Sequence, residues 1–180
     1  MVWHRSISRV LLPLILGLAV ATSIASAAGL QLSVTDSDWT AVGMTANERF
    51  GQFLNPAGDV NGDGYDDFIV SSQHANDPPG SAPAAGAAWL FYGGPTGPAA
   101  TPDVTFDPPG GLISSHFFGM HASTAGDVNN DGYDDIMIGC TGCDATGGSS
   151  DEGMVFVYHG ADGGIDTNYD WRARGIALYA

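Results

Sequence analysis

The sequence predicts an all-β chain, a partial β-propeller of about two four-stranded blades. Three observations carry that expectation. A long motif recurs at a fixed offset of 68 residues. The apolar runs are short, rich in β-branched and aromatic residues, and bounded by Gly, Pro, Asn and Asp. Glycine supplies 26 of the 180 residues, which favours tight turns over long helices. Beyond the amino-terminal segment, no stretch keeps a 3.6-residue apolar period.

The amino-terminal segment has the pattern of a secretory signal peptide over residues 1–27. Arg5 and Arg9 form its positive end, residues 10–21 are an apolar run too short to span a bilayer convincingly, and Ala25-Ser26-Ala27 offers a small-x-small cleavage site. The expectation is therefore a secreted chain, extracellular or at the cell surface, with residues 28–38 as a short lead-in. Cleavage would leave three Arg against 20 acids, a net charge of −17. Such a surface repels nucleic acid and anionic membranes, so neither is expected as a partner. Hydrophobic residues at 44% and four Trp argue for a packed core rather than disorder.

The repeat itself is extensive. Phe50-Gly51 recurs as Phe118-Gly119. The run from Ala57 through Asp67 (AGDVNGDGYDD) recurs from Ala125 through Asp135 (AGDVNNDGYDD). Each is followed by an apolar triplet, residues 68–70 and 136–138. A second apolar run follows at residues 88–92 and 154–158, an offset of 66, which makes the connecting loop two residues shorter in the second copy. The first repeat is placed at residues 39–105, with strands expected at 50–55, 67–71, 87–92 and, more weakly, 103–106. Residues 76–87 and 141–153 read as loops. The second repeat is placed at 106–170, and a third opens at Trp171 and runs to residue 180. Four-stranded units at this period fit propeller blades.

Between the first two strands of each repeat lies the chemistry. Hard cations such as calcium take six to eight oxygen ligands, and alternating carboxylates or amides in a tight loop converge on one point. Asp59, Asn61 and Asp63 stand at positions one, three and five. Gly64 at six permits the sharp turn, Tyr65 offers its carbonyl at seven, and Asp67 closes the loop at nine. Asp127, Asn129, Asp131, Tyr133 and Asp135 repeat these roles. Two Ca2+ sites are expected. Asp66 and Asp134 fall between ligand positions, so they are expected to face outward or to bind through water. An EF-hand begins similarly but needs an acidic residue at position twelve, where Val70 and Ile138 stand instead.

A Phe-Gly pair, then a D-x-N-x-D-G-Y-x-D loop, then a hydrophobic strand, resembles the FG-GAP repeats of integrin alpha subunits and their bacterial relatives. The resemblance covers residues 39–171. It implies propeller blades, calcium held in the first hairpin of each blade by the residues just named, and adhesion to a partner. The family's Gly-Ala-Pro after the second strand is absent, replaced by Ser71-Ser72-Gln73 and Gly139-Cys140-Thr141. Integrin-type propellers use seven blades and this chain holds about two. Open sheet faces would then drive self-association, completion by another chain, or poor solubility.

Catalysis finds little support. No nucleophile elbow, zinc helix or phosphate-cradling glycine loop is present. Ser115, His116 and His121 lie close together around Phe118-Gly119, but such residues more often sit on strand surfaces. Trp39, Trp89 and Trp171 suit inter-blade packing better than sugar stacking. Cys140 and Cys143 lack the context of a redox or zinc site, leaving a local crosslink or two inert thiols in a loop. The expected function is a non-catalytic, calcium-binding adhesion or interaction module with a protein or glycan ligand. The alternatives are accessory blades of a secreted enzyme and a lectin-like carbohydrate binder.

Overall fold

A computed structural model describes residues 38–44, 48–75, 85–110, 114–144 and 152–175, with backbone alone at 114–116. Residues 1–37, with the expected signal peptide at 1–27, and residues 176–180 lie outside the described residues.

Eight strands are present among the described residues. β1 (Phe53–Gly58), β2 (Asp67–Ser72), β3 (Ala87–Phe91) and β4 (Val104–Phe106) form one sheet. β5 (Ser114–Gly126), β6 (Asp135–Asp144), β7 (Met154–Tyr158) and β8 (Trp171–Arg174) form the other. In each sheet every strand pairs antiparallel with the next, and the described residues contain no helix. The expected all-β architecture of two four-stranded blades is thus the one observed.

Several bounds differ from the sequence reading, and β6 runs to Asp144, through the first residues of the loop expected at 141–153. β1 starts at Phe53 rather than Phe50, because Arg49 (φ 54°) and Gly51 (φ 85°) hold a turn around Phe50 that the Gln52 N–H closes onto the Arg49 carbonyl at 3.0 Å. The second copy keeps the same left-handed pair at Phe117 (φ 66°) and Gly119 (φ 75°), but there it interrupts a longer strand as a register shift between Phe118 and His121. Next, Phe68 pairs with Phe91 and Ile136 with Tyr158, so Tyr158 is the equivalent of Phe91 at an offset of 67. The second connecting loop is therefore one residue shorter, not two. Finally, Trp171–Arg174 pairs with β7 and completes the second sheet instead of opening a third repeat, just as Phe106 completes the first.

Trp39–Ala180 belong to one compact unit whose main core lies between the two sheets. Alternation along the strands explains it. Ile69, Ala88, Leu90 and Phe106 leave the first sheet on one face and meet Ile136, Ile138, Phe156 and Tyr158 of the second. Phe106 packs edge-on against Tyr158 with ring centroids 4.8 Å apart. Burying each such side chain stabilises the fold by roughly 1.5–3 kcal/mol. Phe118 lies fully buried beside Phe156, and its carbonyl closes on Gly86, which has no room for a Cβ.

The opposite face of the first sheet carries Val70, Trp89 and Phe91, covered by Trp39, Ala41 and Phe50. Trp39 stands edge-on to Phe68 at 5.3 Å and to Phe91 at 5.5 Å, and its indole N–H donates to the Ala99 carbonyl at 3.0 Å. On the opposite face of the second sheet, register aligns Met137, Val157 and Trp171 across three strands. Met137 is 41% exposed and Trp171 55%. The expected packing role of tryptophan holds for Trp39 and Trp89 and fails for Trp171. Cys140 and Cys143 form a disulfide within β6, both buried, so the crosslink belongs to a strand and not to a loop.

Candidate metal centre

Each candidate site is the hairpin between the first two strands of a sheet. Its shape follows from short side chains that hydrogen-bond their own backbone. In the first loop, Asp59 Oδ1 accepts from the N–H groups of Gly62 (2.8 Å) and Asp63 (3.1 Å), and its Oδ2 accepts from Gly64 (2.9 Å). Asn61 Oδ1 accepts from the Asp63 N–H at 2.9 Å, and its Nδ2 donates to Asp63 Oδ2 at 3.1 Å. Asp63 Oδ1 accepts from the Tyr65 N–H at 2.9 Å. The chain turns so tightly because Gly62 and Gly64 have φ of 74° and 88°.

Asp67 closes the loop from inside. It is 2% exposed, and its two oxygens accept from the N–H groups of Val60 (2.9 Å) and Gly93 (2.8 Å). It thereby ties the hairpin to the end of β3. Burial pushes its pKa above the usual carboxylate value; the bonds from Gly93 and Val60 pull it down, and the charges of Asp63 and Asp59 raise it again.

The second loop repeats the scheme. Asp127 accepts from the N–H groups of Asp131 (3.0 Å) and Gly132 (2.9 Å). Asn129 accepts from the Asp131 N–H at 3.0 Å and donates to Asp131 Oδ2 at 2.7 Å. Asp131 accepts from the Tyr133 N–H at 3.0 Å. Asp135, fully buried, accepts from Val128 (2.8 Å) and Gly160 (2.9 Å).

The sequence-chosen residues are therefore gathered into two loops of one design. Their oxygens point at backbone N–H groups, and no three acidic, His or Cys side chains among the described residues stand ready as a metal cluster. The donor set nevertheless suits a hard divalent cation. Each loop holds four Asp in nine residues, with one Asn in the first and two in the second and no cationic side chain, and a carboxylate oxygen that accepts one N–H keeps a lone pair for a metal. A cation would be held by small rotations of Asp59, Asn61 and Asp63 and their counterparts, with Asp67 and Asp135 already fixed.

The two residues expected between ligand positions part company. Asp66 is exposed, whereas Asp134 is half-buried and accepts from the Asp59 N–H across the sheets at 2.9 Å. The outward placement expected of Asp134 is thus overturned. Asp66 and Asp134 occupy the same position of the repeat with the same flanking residues, and the neighbouring blade distinguishes them.

His121 lies on β5 opposite Gly139, with its ring 6.1 Å from Phe53, while the side chains of Ser115 and His116 lie outside the described residues. Among the described residues, no helix is long and apolar enough to cross a membrane.

Comparison with known proteins reaches the first of these loops. The family model described as the FG-GAP repeat matches residues 50–91. Integrin alpha-PS5 of Drosophila melanogaster is 31% identical over 105 residues, covering 57% of this chain and 10% of that protein. Integrin alpha-PS2 of the same organism is 33% identical over 117 residues, covering 63% of the chain and 8% of the relative. Human integrin alpha-6 is 39% identical over 62 residues, covering 34% and 5%. The chain spans about a tenth or less of the length of these relatives.

Proposed function

We propose a function from one premise: this is an FG-GAP repeat protein, similar to integrin alpha subunits over more than half its length. Repeats of this type are generally non-catalytic. We infer that the chain is an exported, non-catalytic interaction module whose two hairpins, Asp59–Asp67 and Asp127–Asp135, each bind one Ca2+. The observation that carries this reading is the duplication of one hydrogen-bond scheme, down to the Asn Nδ2 bridge, in two loops rich in oxygen donors. Solvated acids on an ordinary turn need no such duplication.

Calcium would offset two of the four negative charges in each loop and lock the hairpin. Extracellular modules bind calcium at about 10⁻⁴ to 10⁻³ M. At about 1 mM calcium, linkage then stabilises the fold by roughly 0.4–1.4 kcal/mol per site. Titration calorimetry on the folded protein tests the reading. Two binding events are expected, with Asp63→Ala and Asp131→Ala each removing one. Folded protein that binds no calcium would refute it.

Export rests on residues 1–27, and the intact mass of protein from its native host decides whether they are removed. The partner is of the kind that reads a surface rather than a deep site, a protein or a glycan. The sugar-stacking version loses Trp39 and Trp89 to packing and retains only Trp171. The Met137–Val157–Trp171 row, exposed at Met137 and Trp171, favours a further blade or chain as the second partner. Its equivalents in the first sheet, Ile69, Leu90 and Val104, pack in the core between the sheets.

A further inference from the structure

The second loop does more than hold its own residues. It reaches over the first. Asp134 Oδ2 accepts from the Asp59 N–H at 2.9 Å, while the Asp134 N–H donates to the Asp59 carbonyl at 3.1 Å. Both bonds clamp the residue that opens the first loop. One step further on, the Ala161 N–H donates to the Val60 carbonyl at 3.1 Å.

The first loop is shaped for this contact. A Cβ on Gly58 would collide with the Asp134 carboxylate, lying 2.6 Å from its Cβ. A Cβ on Gly62 would run into the Tyr133 ring, 3.0 Å from Cδ1. In the second loop the counterpart of Gly58, Gly126, has nothing near it, and the counterpart of Gly62 is Asn130, exposed and still at positive φ (60°). The second loop therefore keeps the turn conformation without the glycine at that position. Steric need for glycine appears only where the neighbour presses.

We propose that Asp134 is a positioning residue for the calcium site of the other repeat: by fixing the backbone of Asp59 it preorganises the first loop, so that the two sites are unequal and the first depends on the joint between the blades. This rests on the reading of both hairpins as calcium sites. The mechanism is elementary. Asp59 is the first oxygen ligand, and a backbone held in place before the cation arrives loses less freedom on binding. The Asp134 charge also adds to the negative field at that loop.

Amide NMR during a calcium titration separates the sites, with Gly64 reporting the first loop and Gly132 the second. In Asp134→Ala the Gly64 midpoint should move about three- to tenfold to higher calcium, the range expected from the net contribution of one typical hydrogen bond. The Gly132 midpoint should stay within about twofold. Asp134→Asn keeps an acceptor for the Asp59 N–H and should recover part of the loss. Asp66→Ala removes the same charge from the first loop itself and should do less than Asp134→Ala. Should Asp134→Ala not fold, the unmodified protein still gives a test: its Asp59 amide should exchange with solvent more slowly than that of Asp127. If neither glycine responds to calcium, the calcium reading falls and this inference with it. If both respond while Asp134→Ala leaves Gly64 within about twofold, or Asp134→Asn is as damaging as Ala, or the two amides exchange alike, the positioning role alone is overturned.

Discussion

Asp135→Asn separates what the loop's closing carboxylate does for the fold from what it would do for a cation. Asp135 is fully buried, and its two oxygens each accept one backbone N–H, from Val128 at 2.8 Å and Gly160 at 2.9 Å. Asparagine is nearly the same size but offers one acceptor oxygen and one donor NH2. One backbone N–H keeps its bond, now to a neutral group. The other faces a donor and is left buried without a partner. A hydrogen bond to a charged group is worth about 1.5–3 kcal/mol, and an orphaned buried donor costs about 1–3 kcal/mol. Removing a buried charge returns part of this, because a neutral amide is easier to desolvate. The expected net loss is about 2–3 kcal/mol, a large share of the 5–15 kcal/mol typical of a domain. Urea unfolding in chelator measures this structural part alone. Repeating it at about 1 mM calcium should widen the gap from the unmodified protein by roughly another 0.4–1.4 kcal/mol, the linkage due to one site. A loss below about 0.5 kcal/mol in chelator would refute the reasoning, since the two backbone bonds would then contribute nothing to the metal-free fold.

Other outcomes follow from single contacts. Tyr158→Phe should leave stability unchanged or raise it by about 1 kcal/mol, because the buried Tyr158 hydroxyl has no hydrogen-bond partner among the described residues; a loss in thermal unfolding would reveal one. Gly62→Ala should cost about 1–3 kcal/mol by denaturant unfolding, combining positive φ with the Tyr133 contact, whereas Asn130→Gly should change stability by less than about 1 kcal/mol. Replacing both Cys140 and Cys143 by Ser should leave calcium affinity within about twofold by calorimetry, since the disulfide closes a separation of only three residues and lies outside both loops. Trp171→Glu and Met137→Glu should reduce self-association, read by light scattering after size exclusion at about millimolar calcium; an unmodified chain that is already a stable monomer would sink this one.

Legibility in the sequence followed the range of the interaction. The hairpins were legible because their geometry is written within nine residues: an Asp, an Asn and a second Asp bond to N–H groups two to five positions on, and the glycines free the turn. The sheets were legible because each strand pairs with its neighbour in the chain. The Phe-Gly turn was not, since its left-handed residues include Arg49 and Phe117, types that carry no mark of positive φ. Nor was the closing strand of the second blade. Trp171 looks like Trp39 in composition and spacing, but backbone pairing with β7 fixes where it lies, and Trp39 packs on the outside of the first sheet.

What remained hidden lies between copies. Asp66 and Asp134 share a type, a register and flanking residues, yet one faces solvent and the other clamps a neighbour. Tyr65 is 43% exposed while the Tyr133 ring lies against Gly62. A repeat fixes what each copy can make of itself and leaves open which copies have something beside them. The difference is nevertheless recorded. Across the nine residues from Asp59 and the nine from Asp127, the two loops differ at one position, Gly62 against Asn130. That position is the one over which a side chain of the next loop lies. A single substitution between otherwise identical loops thus marks the side of the first blade on which its neighbour sits.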